Sequence, residues 1–157
     1  MITQRPPKIP RSVLVVIYTP DGQVLLLERA DRAGFWQSVT GSLDSMDEPP
    51  RLAAVREVAE ETGFQIGQPH LPEHCLQDWQ QANEYEIFPV WRHRYAPGVT
   101  HNTEYVFGLC LPQPCIPKLA EREHVGYVWL PWQEAAARCF SPSNAQAIEQ
   151  LPQRLFL

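Results

Sequence analysis

Two short apolar runs near the start of the chain predict two buried strands. Residues 12–18 and 24–28 are almost continuously apolar and rich in valine, leucine and isoleucine. Asp21-Gly22 between them is a strong signal for a β-hairpin turn. Continuous rather than alternating apolar character indicates strands that are covered on both faces. We therefore expect a sheet that is sandwiched between helices.

Residues 49–62 follow a helical pattern instead. Leu52, Val55 and Ala59 recur at intervals of three and four, and proline occupies the first turn. Gly63 follows the last helical residue, where a glycine commonly ends a helix. This segment predicts the most clearly bounded helix of the chain.

The remaining pattern predicts three further strands and a second helix. Strands are expected at residues 84–95 and 104–111, on either side of the turn-rich residues 96–99, and a last strand near 125–130. A helix is expected at residues 143–150. Strands mixed with helices indicate an α/β fold.

Length and cysteine content define the class of protein. A chain of 157 residues fits a single domain over 1–157. Its four cysteines form no Cys-x-x-Cys pair, so we expect reduced, mostly buried thiols rather than disulfides or structural zinc. The N-terminus lacks an apolar signal core, and no apolar run approaches the ~18 residues that cross a membrane. We expect a cytoplasmic protein without membrane contact.

A net charge of −5 argues against nucleic acid as a partner. An anionic substrate must therefore meet local cations or a metal. The densest positive group is Arg92, His93 and Arg94, and on charge alone such a group is more typical of a solvated edge than of a binding patch.

Three carboxylates are concentrated on the predicted helix. Glu57, Glu60 and Glu61 lie three or four residues apart, so we expect their side chains on one face. Each like-charged pair destabilises a helix by roughly 0.2–0.5 kcal/mol, which a bound cation relieves. Oxygen ligands suit Mg²⁺ or Mn²⁺. Arg56 lies four before Glu60 and can orient that carboxylate. Taken alone, such spacing is more often a solvated face.

With its flanking residues the segment resembles the Nudix box, Gly-x5-Glu-x7-Arg-Glu-(aliphatic)-x-Glu-Glu-x-Gly-(aliphatic). The matching positions are Gly41, Glu48, Arg56, Glu57, Val58, Glu60, Glu61, Gly63 and Phe64. Six residues rather than five separate Gly41 from Glu48. A pattern with this many fixed positions is highly specific.

The Nudix resemblance implies an α/β/α sandwich around a mixed β-sheet, and hydrolysis of a phosphoanhydride bond. It implies that Glu57 and Glu61 are the main Mg²⁺ ligands, with Mn²⁺ as a possible substitute. Glu60 is implied as a further ligand or as the base that activates water. Arg56 with Glu48 is implied as the orienting pair.

A second resemblance extends from about residue 8 to residue 150. Its matching segments are residues 35–41, 85–88, 92–100, 102–104 and 143–150. These segments resemble the bacterial branch of the Nudix family that hydrolyses dihydroneopterin triphosphate in folate biosynthesis. The implied products are pyrophosphate and dihydroneopterin monophosphate.

This resemblance also implies specific contacts. The implied substrate-binding residues are Lys8, Arg29, Thr40, Tyr85, Glu86, Ile87, Phe88 and Ser141, and the implied additional metal ligand is Glu123. A flat pterin suits aromatic walls such as Phe35, Trp36, Tyr85 or Phe88. Without the resemblance, such aromatics are more simply core residues, and Lys8 and Arg29 more simply surface cations.

Two other functions are compatible with the box. A broader nucleoside triphosphate pyrophosphohydrolase, which clears damaged or surplus nucleotides, would share the same helix. A catalytically silent module that binds a nucleotide and regulates a partner would have lost box carboxylates, whereas Glu57, Glu60 and Glu61 are all present. We therefore expect a small-molecule triphosphate as the substrate and a monomer or weak homo-oligomer.

Overall fold

The computed structural model describes residues 6–155 of the chain, so residues 1–5 of the N-terminal segment inspected for a signal core lie outside it. Its strands are β1 (Arg11–Tyr18), β2 (Gln23–Arg29), β3 (Trp36–Gln37), β4 (Val39–Ser42), β5 (Leu76–Glu86), β6 (His101–Cys110) and β7 (His124–Pro131). Its α-helices are α1 (Pro50–Thr62), α2 (Trp132–Arg138), α3 (Pro142–Glu149) and α4 (Leu151–Leu155). Two 3₁₀ helices span Glu73–Cys75 and Pro89–Arg94.

The strands form one mixed sheet in the order β3-β2-β1-β6-β5, with β4 paired to β1 and β7 to β2. β1 runs parallel to β6 along its whole length. Its other edge is shared: β4 pairs with its first half, and β2 pairs with it only at Tyr18. β4 and β2 therefore lie along the same edge of β1, β4 beside its first half and β2 beside its last residue. The predicted hairpin turn is confirmed, with Gly22 at a φ of 86°.

Both faces of the sheet are covered, as the continuous apolar runs predicted. Alternate residues of β1 point to opposite sides. Val13 packs in one core with Val58 of α1, and Leu14 packs in the other with Ile148 of α3. The predicted α/β sandwich around a mixed sheet is confirmed.

The ends of α1 follow the predicted signals. Pro50 lies in the first turn, and Gly63 adopts a φ of 77°, at which its N–H donates to the Ala59 carbonyl. The buried stripe, however, is made by Ala53, Ala54, Glu57, Val58, Glu61 and Thr62. Leu52 is 58% exposed, so the apolar periodicity that identified the helix does not mark its buried face. Small alanines bring α1 close to the sheet and bring two carboxylates inside.

The predicted strand at residues 84–95 is wrong at both ends. β5 already begins at Leu76 and ends at Glu86, and Pro89 then opens a 3₁₀ helix. β5 is an edge strand with mostly exposed, polar residues, so it lacks the apolar alternation that marks a strand. Its register shifts between Asp78 and Gln81. A proline cannot donate to a ladder, which explains the stop before Pro89.

Other predictions for the elements are mixed. The strands at 12–18, 24–28, 104–111 and 125–130 and the helix at 143–150 are confirmed within a few residues. The four cysteines are free, as expected, but all are partly exposed rather than mostly buried, because they lie at the ends of strands and helices or in a loop. Over residues 6–155 no helix has both the length and the apolar character needed to span a membrane.

Candidate active site and metal centre

A broad cleft of about 2050 Å³ lies at the end of the sheet formed by the start of β1, the end of β2 and β4. All eight substrate-binding residues implied by the sequence line it: Lys8, Arg29, Thr40, Tyr85, Glu86, Ile87, Phe88 and Ser141. Arg56, Glu57, Glu61 and Glu123 line the same cleft. The fold therefore gathers side chains from distant parts of the sequence around one opening.

Glu57 and Glu61 are buried carboxylates on the wall of this cleft. Glu61 is only 1% exposed, and both of its oxygens are buried without a hydrogen-bond partner among the described residues. Burial, reinforced by the charge of Glu57, raises the pKa of Glu61 well above its usual range, and burial also raises the pKa of Glu57. Uncompensated buried carboxylates are costly in a protein, and a divalent cation supplies the missing charge.

Two further groups complete the arrangement around Glu61. Ligand atoms of Glu61, Glu123 and His124 all lie within 4.8 Å of one another. His124 is 4% exposed, and its Nε2 lies 3.6 Å from Glu61 Oε1 and 3.4 Å from Gln37 Nε2. Burial and the nearby Arg29 lower the pKa of His124 to about 4, so the imidazole is neutral at pH 7. This donor set fits a divalent cation.

Arg56 ties the glutamate-bearing helix to the loop before it. Its guanidinium lies 2.8 Å from Glu57, 3.0 Å from Glu48 and 3.1 Å from Asp44. The Asp44 N–H donates to the same Glu48 carboxylate at 2.8 Å. The loop with the additional residue therefore still brings Glu48 to Arg56, and the pairing of these two side chains implied by the Nudix box is present.

Glu60 differs from the other two helix carboxylates. Its side chain is 53% exposed, its closest approach to Arg56 is 3.8 Å, and it is not among the described residues that line the cleft. At about 100° per residue, Glu61 lies only about 40° around the helix axis from Glu57. Glu60 lies about 60° from Glu57 in the other direction, which turns its side chain toward solvent. The predicted common face thus holds for Glu57 and Glu61 only, and the role of Glu60 as ligand or base stays a prediction.

Cationic side chains line the same cleft as the carboxylates. Arg29 lies 2.7 Å from Asp31, and its guanidinium stacks 4.7 Å from the Trp91 ring centroid. Arg94 lies 3.5 Å from the same aspartate and offers its backbone carbonyl to the Lys8 N–H at 2.8 Å. Loss of hydration, together with Arg94 and Arg29, lowers the pKa of Lys8. These cations are suited to an anionic group.

Aromatic rings form another part of the wall. Phe88, Trp91 and Phe140 line the cleft, with Phe88 and Trp91 centroids 5.3 Å apart and Trp91 and Phe140 6.1 Å apart. Tyr85 also lines it. Phe35 stacks behind Phe140 at 4.7 Å rather than on the cleft wall. The cleft therefore combines a carboxylate centre, cations and flat apolar surfaces.

The sequence profile of the NUDIX domain matches residues 8–151 of the chain. The protein belongs to the Nudix family. This match includes the helix α1, all seven strands and the whole of α3.

Relatives that match most of this chain at 41–49% identity share one name. Dihydroneopterin triphosphate diphosphatase of Escherichia coli strain K12 is 49% identical over 144 residues, which cover 91% of this chain and 92% of the relative. The protein of that name from Haemophilus influenzae is 41% identical over 141 residues, covering 89% and 85%. The solved E. coli dihydroneopterin triphosphate pyrophosphohydrolase has a TM-score of 0.85 at 48% identity, covering 93% of this chain and 97% of that one. The resemblance to this branch of the Nudix family is confirmed.

Sequence reasoning missed several residues of the Nudix cleft. His124 follows the predicted Glu123 directly, and only this adjacency could have suggested it. Trp91 and Phe140 carry no local signal, because 49 residues separate them and only the tertiary fold brings them together. Phe35 and Trp36 were suggested as wall residues and are not among the described residues on the cleft wall.

Gly41 of the Nudix box is required by close packing rather than by its backbone angles. It pairs with Val13 in the ladder between β1 and β4, and a Cβ added there would overlap the Glu57 carboxylate. We expect Gly41→Ala to displace Glu57 and lower kcat by about 100-fold, since a shift of ~1 Å in a catalytic constellation has this effect. Steady-state assays of phosphate release measure it.

The matched control for that variant is Gly98→Ala, because a Cβ at Gly98 meets no atom within 4 Å. Gly98 has a φ of 87°, so this control is expected to lose some stability but to keep its turnover. Full activity in Gly41→Ala would contradict the packing role of Gly41.

Proposed function

We propose that this protein catalyses the Mg²⁺-dependent hydrolysis of dihydroneopterin triphosphate to dihydroneopterin monophosphate and pyrophosphate. The observation that carries the proposal is the buried carboxylate of Glu61 beside Glu57, in a cleft that also holds cations and aromatic rings. Over residues 6–155 this carboxylate has no hydrogen-bond partner. The similarity to relatives named for this substrate covers most of the chain.

Glu57 and Glu61 are proposed to hold the magnesium ion, with Glu123 as a further ligand. Glu60 is proposed as an additional ligand or as the base for the attacking water. Mn²⁺ can substitute, because both are hard cations that prefer oxygen donors. A metal held by these glutamates would supply positive charge to the phosphates and lower the pKa of a water molecule.

The cations of the cleft are proposed to orient the triphosphate. Lys8 and Arg29 line the same cleft as the carboxylates, and the Thr40 hydroxyl is a further donor there. Arg29 is held by Asp31 and by Trp91, so its guanidinium is already ordered before the substrate arrives. A fixed guanidinium matches phosphate geometry with little loss of side-chain entropy.

The pterin is proposed to lie against the aromatic part of the cleft. Tyr85, Glu86, Ile87 and Phe88 form its lining, and Ser141 is a polar contact next to it. Flat apolar rings exclude water from a bicyclic heterocycle and fix its plane. This placement puts the triphosphate toward the carboxylates, where the bond is cut.

Specificity constants test this proposal against the broader nucleotide hydrolase. We expect kcat/KM to be highest for dihydroneopterin triphosphate when it is compared with each common nucleoside triphosphate under identical conditions. Discrimination is expected against nucleotides whose base lacks the donor and acceptor pattern of the pterin, because polar groups that pair with the pterin are then left unpaired. A nucleotide that equals or exceeds the pterin would replace the proposal by the broader pyrophosphohydrolase. Binding without turnover of any triphosphate would favour the silent module.

The proposed enzyme works in the cytoplasm on a small molecule, as a monomer or weak homo-oligomer, without nucleic acid. The net charge of −5 supports the absence of nucleic acid from this proposal. Light scattering across a concentration series tests the oligomeric state, and a stable tetramer would contradict it.

A further inference from the structure

One wall of the cleft is polar and has no role in the proposed metal and phosphate contacts. It is formed by Asn83, Asn102 and Glu104. Asn102 and Glu104 lie on β6, and Asn83 lies directly opposite Glu104 on β5. Asn102 is 1% exposed and Glu104 is 4% exposed, yet all three residues line the cleft. Polar side chains this deeply buried need hydrogen-bond partners.

The hydrogen bonds of Asn102 leave one of its atoms unused. Its amide nitrogen donates to Ser12 Oγ at 2.7 Å and to the Tyr85 hydroxyl at 3.1 Å. Its carbonyl oxygen is buried and has no partner among the described residues. The amide nitrogen of Asn83 is also buried, and the group that faces it across the strand pair is the Glu104 carboxylate, so an Asn83 N–H that does not point to Glu104 is available to a ligand.

Glu104 supplies a carboxylate between these two amides. Its Oε1 accepts a hydrogen bond from Ser143 Oγ at 2.9 Å. Burial raises the pKa of Glu104, and the side chains of Ser143 and Asn83, which hydrogen-bond to its carboxylate, act in the opposite direction. A carboxylate accepts up to about four hydrogen bonds, so these two contacts leave capacity for a ligand.

We propose that Glu104, with Asn102 and Asn83, recognises the edge of a 2-amino-4-oxopyrimidine ring. That edge presents an amino group, a ring N–H and a carbonyl in sequence, and it is shared by pterins and guanine. The carboxylate accepts from the two N–H groups as a bidentate pair, Asn83 donates to the carbonyl, and Asn102 accepts from a further N–H. This inference rests on the proposed function, because it assigns the specificity of the same cleft.

Other bases do not match the wall. Adenine and cytosine present a ring nitrogen that is an acceptor where the carboxylate also accepts, so the two lone pairs oppose each other. A mismatch of this kind leaves buried polar groups unpaired, which costs more than a missing contact at a surface. The wall therefore favours pterins and guanine over adenine and cytosine.

The separation of this wall from the metal centre suits one substrate molecule. Ser12 of β1 lies beside both Ser42 of β4 and Glu104 of β6 in the ladders. Because Ser12 separates them, the backbones of Glu104 and Ser42 are two strand spacings, about 10 Å, apart. Ser42 directly follows Gly41, which lies against the carboxylate of Glu57. A heterocycle joined to a triphosphate by a short chain spans this interval.

Glu104 also contacts the first turn of α3 through Ser143, so a purely structural role must be distinguished. Ser143→Ala removes that hydrogen bond and keeps the carboxylate. Glu104→Gln keeps the volume and an acceptor for Ser143 but removes the charge and one accepting oxygen. If Glu104 only positions α3, Ser143→Ala changes the ratio of kcat/KM between substrates at least as much as Glu104→Gln, because only Ser143→Ala removes the hydrogen bond to α3.

The test compares GTP with inosine triphosphate, which differs from GTP only in lacking the 2-amino group. We expect wild-type kcat/KM to favour GTP by about 10- to 100-fold, the range for a hydrogen bond to a charged group. In Glu104→Gln the ratio falls to near one, mainly through KM, and in Ser143→Ala it is retained. Thermal unfolding and Mn²⁺ titration check that both variants keep the fold and the metal site.

Two outcomes overturn the inference. One is a wild-type enzyme whose kcat/KM is nearly the same for GTP and inosine triphosphate, a result that does not depend on whether any variant folds. The other is a ratio that survives Glu104→Gln, or that Ser143→Ala abolishes equally. Failure of the proposed function is distinct, since it appears as nucleotide turnover that equals or exceeds that of dihydroneopterin triphosphate.

Discussion

Glu61→Gln is expected to lower kcat by about three orders of magnitude or more while leaving the fold intact. The substitution removes a carboxylate whose two oxygens have no described protein partner, and with it a metal-binding charge that the reaction needs. Without metal, the melting temperature is expected to be unchanged or slightly higher. The reason is that Glu61 is buried beside Glu57, so neutralising it removes both repulsion and desolvation cost. Turnover at saturating Mg²⁺ and thermal unfolding in EDTA measure the two effects.

Glu57→Gln is expected to behave in the same way, and Glu149→Gln is the matched control. Glu149 is an exposed glutamate at the end of α3 and does not line the cleft within the described chain. It is expected to keep near wild-type turnover. Near-full turnover in Glu61→Gln with Mg²⁺ would remove the basis for the carboxylate centre.

Removal of metal is expected to stop the reaction, and added Mg²⁺ or Mn²⁺ is expected to restore it. Zinc should not be required, because the two main ligands, Glu57 and Glu61, offer only oxygen. Binding should also stabilise the folded protein: a free ion at 100 times its Kd adds about 2.7 kcal/mol to the free energy of unfolding. The stabilisation should be much smaller in Glu61→Gln. Unfolding curves with and without Mg²⁺ provide this comparison independently of activity.

The increase in the free energy of unfolding on addition of Mg²⁺ distinguishes loss of the metal from nonspecific damage by EDTA, because a damaged protein would not regain stability. An EDTA-treated enzyme that regains turnover on dilution without added metal would contradict the requirement. Undiminished turnover in metal-stripped buffer would do so more strongly.

Local signals in the sequence were sufficient for the helix that carries the site. Pro50 and Gly63 define its ends through backbone constraints that act within one turn. The Nudix box spacing placed Arg56, Glu57 and Glu61 on it, and Glu57 and Glu61 line the cleft together. The sequence also predicted the buried strand β1, because both of its faces are covered and its apolar run is therefore continuous.

The remaining features depend on contacts that sequence spacing does not encode. β5 is polar because it lies at a sheet edge, so its residues resemble a loop. Glu60 shares the spacing of Glu57 and Glu61, but rotation about the helix axis turns it to solvent. His124 and Phe140 join the cleft only because β7 and the segment before α3 fold against β2 and β3.

The most direct test of the proposed reaction is ³¹P NMR of dihydroneopterin triphosphate incubated with the enzyme and Mg²⁺. The account predicts that pyrophosphate and dihydroneopterin monophosphate appear together in equal amounts, and that neither appears in EDTA. Release of orthophosphate with the diphosphate would show that a different phosphoanhydride bond is cut. No change in the pterin spectrum, under conditions in which the same sample hydrolyses a nucleoside triphosphate, would contradict the proposed substrate.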